Sequence, residues 1–256
     1  MKTQLEMILE DTLEKCGVKV FGFCSADALP QNKEEIEKIL PGACSIVVIA
    51  VPHSRSAISS KNVQVRQYDT IHTYDITALA SHSVVSALES LGHRAVAVPA
   101  FIPIEMTPPK RGMKGAIDWR AAGVAAGIGT YGKSGLLVTR EYGSAIRIVG
   151  VVTDARLQAG KPLIESVCIG CMKCIKACPT SALLGDGKID KKKCGDAIFA
   201  TGFRAWRDFL DKITEASVEE KQKLLDGQMC MDLWQNFMTG NYYSCFVCQA
   251  VCDKKI

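Results

Sequence analysis

Cys168-Ile-Gly-Cys171-Met-Lys-Cys174-Ile-Lys-Ala-Cys178-Pro179 decides how this chain is read. Four cysteines stand at spacings of two, two and three residues, and a proline follows. That is the run that holds a [4Fe–4S] cluster, with the fourth cysteine serving the other cluster of a pair. Three thiolates two residues apart can wrap one face of a cubane in a tight loop. Gly170 lets the backbone pass close to the sulfides, and Pro179 stops any helix there. Zinc prefers two separated Cys-x2-Cys pairs with tetrahedral sulfur, which this crowding does not offer.

A second set of ligands closes the chain. Cys245-Phe-Val-Cys248-Gln-Ala-Val-Cys252 repeats the spacings of two and three residues, one cysteine short. Cys194, after Lys191-Lys192-Lys193, is the best candidate to supply it, and Cys230 is the rival. By the two-cluster rule, Cys168, Cys171, Cys174 and Cys252 hold one cubane; Cys178, Cys194, Cys245 and Cys248 hold the other. This crossing staples the ends of the C-terminal region together, so the clusters should contribute to its folding.

The 256 residues suffice for one large or two smaller domains. With 48% hydrophobic and 23% charged residues the chain reads as globular. A net charge of +4 is too mild to argue for nucleic acid. Twelve cysteines would suit a secreted disulfide protein, but cluster thiolates need a reducing compartment. Acidic residues among the first fifteen argue against a signal peptide, and the apolar run near Ile46–Val51 is too short to span a bilayer. The expectation is a cytoplasmic protein with no membrane partner.

Thr3 and Glu6 form a capping box for a first helix that Gly17 ends. Val18–Phe23, Cys44–Val51, Arg94–Pro99, Leu136–Thr139 and Ile146–Thr153 read as strands. Asn32–Leu40, Asp75–Leu91 and residues 116–126 read as helices. The fold class expected is α/β (α+β): an N-terminal cofactor-binding domain over 1–160, then a two-[4Fe–4S] ferredoxin-like domain over 161–256. The turn near Leu157–Pro162 marks the boundary. The ferredoxin-like part carries a helical insertion at about 195–244, with helices expected over Asp196–Lys212 and Val218–Phe237.

Gly127-Ile-Gly129-Thr-Tyr-Gly132-Lys133-Ser134 imitates a P-loop and a dinucleotide loop at once. Both motifs need a strand before and a helix after. Here a helix precedes and a strand follows, so ATP and NAD are not expected. A tight helix-to-strand turn, or close backbone approach to another cofactor, remains.

Ala126 to Ser144, then Val151-Val-Thr-Asp154 and the cysteine run, resembles the epoxyqueuosine reductase family and its reductive-dehalogenase relatives. Phe21-Gly-Phe-Cys24 and Leu40-Pro-Gly-Ala-Cys44-Ser-Ile-Val-Val48 fit as well. The resemblance implies an α/β domain that binds cobalamin and two [4Fe–4S] clusters that deliver electrons to it. It also favours Cys194 over Cys230. It implies that Gly127, Gly129, Gly132, Lys133, Ser134, Tyr142, Gly143 and Ser144 line the corrin or its nucleotide tail.

Two departures set the expected partners. The chain ends four residues after Cys252, and Met113 stands near the place of the family's proton-donating aspartate. tRNA is therefore not expected as a partner; a small-molecule substrate or a corrinoid protein is. The electron donor expected is of low potential, such as ferredoxin or flavodoxin. Asp118 is the candidate catalytic acid, with helix capping as its alternative role. His53, His72, His82 and His93 show no ligand spacing and read as structural. Cys16, Cys24, Cys44 and Cys230 read as core thiols. The function expected is an iron–sulfur, cobalamin-dependent reductase. The alternative is a ferredoxin-type carrier or an activator of a corrinoid protein.

Overall fold

The computed structural model describes residues 2–100, 114–200, 202–240 and 243–252. Helix α1 (Gln4–Lys15) leads into β1 (Val20–Ser25), α2 (Lys33–Ile39), β2 (Ser45–Pro52) and the short α3 (Arg55–Ile58). Helix α4 (Val63–Ser90), β3 (Ala95–Val98) and α5 (Trp119–Ala125) follow. Strands β4 (Thr130–Tyr131), β5 (Leu137–Val138) and β6 (Ile146–Thr153) complete the N-terminal part. Beyond residue 161 the described regular elements are helices: α6 (Lys173–Ala177), α7 (Lys191–Ile198), α8 (Phe203–Glu215), α9 (Val218–Leu225), α10 (Gln228–Thr239) and α11 (Val247–Ala250).

The main sheet runs β1-β2-β6-β3, and every neighbouring pair is antiparallel. The α+β form of the expected class is therefore the one observed. The continuous apolar run of β2 follows from cover on both faces. Val47, Ile49 and Val51 meet Leu9 and Leu13 of α1 with Val84 and Leu88 of α4. Ile46 and Val48, pointing the other way, meet Ile36 of α2 and Trp119 and Ala122 of α5. Period-two alternation thus feeds two cores from one strand. Strand β5, expected in this sheet, instead pairs with β4 in a separate two-stranded ribbon.

The capping box holds: Glu6 N–H donates to Thr3 Oγ1 at 3.2 Å, and Thr3 N–H to Glu6 Oε2 at 2.8 Å. Gly17 follows the helix at φ +76°, as a C-terminal glycine should. Helix α4 begins at Val63, twelve residues before the expected Asp75. Its first four turns bury Gln67, Thr70, Thr73 and Thr77. The three threonine hydroxyls donate to carbonyls three or four residues back. A buried face made of self-bonded threonines carries no hydrophobic period, so the sequence pattern missed it.

The helices expected between Cys194 and Cys245 appear, but divided differently. The first stops at Ile198 and restarts at Phe203, and Gly227 splits the second into α9 and α10. Residues 154–161 are strapped to the N-terminal layer. Gly160 N–H donates to the Phe23 carbonyl at 2.8 Å, and Leu157 N–H to Ser45 Oγ at 3.0 Å.

Gln158 N–H donates to the buried Glu6 at 2.5 Å. Burial pushes the Glu6 pKa up, but the N–H donors of Gln158 and Thr3 outweigh it and hold the carboxyl below its usual 4.5. A depressed carboxyl stabilises the fold above its unfolded pKa and loses that contribution as pH falls through the folded value. Stability against urea should therefore decline below about pH 4.5. Glu6→Gln should flatten that decline and cost about 1–2 kcal/mol at pH 7.

No helix among the described residues is long and apolar enough to cross a membrane.

Candidate iron–sulfur site

The cysteine run folds as a loop ending in the single turn of α6. Gly170 adopts φ +68° and Met172 φ +60°, the left-handed backbone that curls three thiols toward one space. Cys168, Cys171, Cys174 and Cys252 line a single cavity of about 370 Å³. Cys252 reaches it from α11, whose docking is specific. Gln249 Nε2 donates to the carbonyls of Ser144 at 3.0 Å and Ile146 at 3.1 Å. Phe246 is buried against Ile58 and Ala145.

The remaining cysteines gather separately. Burial and the neighbouring Cys245 and Cys178 push the Cys194 thiol up to about 11. Burial and its neighbours Cys245 and Cys194 push Cys248 to about 12. Burial works upward on Cys178 too, yet the backbone N–H groups of Thr180, Ala182 and Leu183 bring it below its usual 9.0. Ala182 N–H lies 3.3 Å from that sulfur. Amides aimed at a thiolate are the surroundings cluster ligands use. Cys230 is not among the leading influences on Cys174, Cys194 or Cys248, and Cys24 is a sealed thiol pushed to about 12 by burial.

Among the described residues, no three His, Cys, Asp or Glu side chains converge as ligands of one metal ion would. A single zinc draws its sulfurs to about 2.3 Å. A cubane spreads its iron corners, so its ligands ring a space, and four cysteines lining one cavity fit that group. If Cys194 is a ligand, Cys194→Ala should lower the iron content by about half, while Cys230→Ala leaves it unchanged. Iron and sulfide analysis of anaerobic protein decides; iron loss from Cys230→Ala alone reverses the assignment.

The glycine stretch is a hairpin rather than a helix N-terminus. Gly127 ends α5 at φ +74°, and a side chain there would strike the Lys161 carbonyl. One at Gly129 would strike the Val138 carbonyl. These two glycines, and Tyr142 packed beside the Val20–Leu137 cluster, are committed to the protein's own packing. Gly132, Lys133, Ser134 and Gly143 do open on the cysteine cavity. Ser144 adjoins it: its N–H lies 3.4 Å from Cys252 Sγ, and its buried Oγ has no hydrogen-bond partner among the described residues. Of the eight residues expected to line a corrin, four line the cysteine cavity and Ser144 adjoins it.

Asp118 is the N-cap of α5. Its Oδ1 accepts from Arg120 N–H at 3.1 Å and Ala121 N–H at 3.3 Å, and Arg120 Nε lies 3.4 Å away. Capping, the alternative reading, accounts for this carboxylate. Met113 lies outside the described residues.

Three features escaped the sequence. His53 is buried with Nδ1 2.7 Å from Asp69 Oδ2. Burial lowers its pKa against the opposing pull of Asp69, so the ring is neutral and its Nδ1–H donates to Asp69. Arg147 places its guanidinium 4.6 Å from the Tyr74 ring centre and 5.1 Å from that of Tyr243. Arg55 spans α3 and the last cysteine loop. No local motif announces any of them, because every partner is distant in sequence.

Residues 162–184 match the 4Fe–4S binding domain family. An epoxyqueuosine reductase of Listeria monocytogenes is 33% identical over 154 residues, covering 58% of this chain and 34% of that protein. One from Synechocystis is 26% identical over 232 residues, covering 86% and 66%. The chain spans about a third of the length of the first curated relatives it matches. The epoxyqueuosine reductase structure from Streptococcus thermophilus superposes with a TM-score of 0.58 at 20% identity, covering 98% of this chain and 66% of that one. An epoxyqueuosine reductase with a tRNA-Tyr stem loop gives 0.56 at 22% identity, covering 74% and 56%. A reductive dehalogenase described as B12-dependent gives 0.59 at 14% identity, covering 91% and 36%.

The expectation that tRNA is no partner does not survive these relatives, one of which was solved with a tRNA stem loop. It rested on the position of the C-terminus and on Met113, and neither describes a surface that meets RNA. The preference for a small organic substrate falls with it. In sequence this chain is similar to the epoxyqueuosine reductases, and its fold is the one they share with reductive dehalogenases.

Proposed function

We propose that this chain is an iron–sulfur reductase of the epoxyqueuosine reductase type. It would carry two [4Fe–4S] clusters on crossed ligand sets, with parts 1–160 and 161–256 meeting at the first cluster. The substrate is an epoxyqueuosine-bearing tRNA, by analogy with the relatives' names. The observation that carries this reading is the single cavity shared by Cys168, Cys171, Cys174, Cys252 and the glycine hairpin.

Each part of the chain has its own task there. Cys168, Cys171 and Cys174 wrap the first cluster, and α11 delivers Cys252 across the sheet domain. Cys178, Cys194, Cys245 and Cys248 hold the second cluster, with amides around Cys178 stabilising thiolate charge. Gly132, Lys133, Ser134, Gly143 and Ser144 would hold a corrinoid against the first cluster. When bound, cobalamin supplies low-potential two-electron reduction that side chains cannot perform. Phe246 and Gln249 seal the join between the two parts, limiting water at the reducing centre.

Anaerobic purification, iron and sulfide analysis, and a cobalamin titration followed by visible spectrum test the cofactors. About eight irons and a shifted corrinoid spectrum are expected. Reduction of epoxyqueuosine in a tRNA stem loop, followed by nucleoside mass spectrometry, tests the activity. Eight irons without corrinoid binding or turnover would leave an electron carrier.

A further inference from the structure

Arg55 joins three pieces of chain that are distant in sequence. Its Nη1 donates to the Cys252 carbonyl at 2.9 Å, and its Nη2 to the Tyr142 carbonyl at 2.9 Å. Ser144 N–H points at Cys252 Sγ from 3.4 Å. Gly143, at φ +62°, makes this approach possible. A Cβ there would lie 3.3 Å from both Cys252 Sγ and Arg55 Nη2. The last ligand is thus gripped at its carbonyl by a fixed cation and at its sulfur by an amide. Both donors belong to the N-terminal part.

We infer that Arg55 is the positioning residue of Cys252 and raises the reduction potential of the first cluster relative to the second. The inference rests on the cluster reading proposed above. Reduction adds one electron, and so one negative charge, to a cluster of thiolates. A guanidinium stays charged at any pH proteins experience. Held beside the ligand, it favours the more negative state, as does the amide on the sulfur. Arg55 is not among the leading influences on Cys194 or Cys248, and the cation that acts on Cys194 is Arg120. Removing Arg55 should therefore act on the first cluster and leave the second in place. The forked geometry also explains the residue type. Two carbonyls on separate segments are met by two nitrogens of one planar group, which lysine cannot reproduce.

The test is a redox titration of anaerobic full-length protein with dithionite and mediators, read by electron paramagnetic resonance. The wild type is compared with Arg55→Gln and Arg55→Lys, with iron counted in each. In Arg55→Gln, the reduced-to-oxidised ratio of the first cluster at fixed ambient potential should fall about tenfold, equivalent to about 59 mV for one electron. The second cluster should not move, and Arg55→Lys should recover part of the shift. Loss of about half the iron, confined to the first cluster in Arg55→Gln and spared in Arg55→Lys, supports the same role. Full iron with unmoved potentials overturns it, as does an equal shift of both clusters or loss of both clusters in both variants. A wild-type chain without cluster iron overturns the cluster reading itself, whereas intact wild-type iron with unmoved variants overturns only the role of Arg55.

Discussion

Cys252→Ala should cost the protein one whole cluster, about four of about eight irons, and with it all reductase activity. Cys248→Ala should cost the other cluster. The two residues stand four apart, Cys248 in α11 and Cys252 two residues beyond its end, so proximity in sequence would make them partners in one site. The cavity separates them. Cys252 lines it with Cys168, Cys171 and Cys174, while Cys248 feels Cys245 and Cys194 first. Each deletion also removes a crosslink between the ends of the C-terminal part, so partial unfolding should accompany iron loss. Iron counting and the resonance signal that survives in each variant check this. Loss of the same signal from both variants would refute the crossed assignment.

Gly150→Val should be the most damaging single change outside the cysteines. Gly150 sits in β6, opposite Val48 in the central pairing of the sheet. A Cβ at this position would overlap the Val47 carbonyl and come 2.5 Å from the Trp119 ring. Neither can yield: Val47 is fully buried and Trp119 is 7% exposed at the start of α5. Overpacking of this kind costs about 3 kcal/mol or more, and about 10 °C in Tm for a chain of this size. Because α5 leads directly into the glycine hairpin, displacement of Trp119 should also loosen the wall of the cysteine cavity. Thermal melting with iron content measured in parallel checks both effects. A melting point within about 2 °C of wild type would show that Trp119 can move aside.

Part of this was legible in the chain because its cause is local. Helix α1 declared itself through Thr3 and Glu6, one turn apart at its start, and Gly17 just past its end. Strand β2 declared itself through an unbroken apolar run. Asp118 offered two readings, and the hydrogen bonds to Arg120 and Ala121 favour the cap. The polar half of α4 was illegible, since threonines bonded to their own helix mimic a solvated surface. The expectation against tRNA failed for a related reason: a substrate surface is not written in the position of a chain end.

The opening cysteine run by itself determined sulfur donors at cluster spacing. That spacing is a short-range property, set by how far a backbone can curl in three residues. The tertiary structure decided which cysteines share a space. It also decided that the sheet is antiparallel, and that only part of the glycine stretch faces the cavity. Arg55 and Cys252 lie 197 positions apart, and His53 and Asp69 lie 16 apart on different elements. Such contacts depend on how the cores on either side of β2 stack the elements, and no residue spacing encodes that.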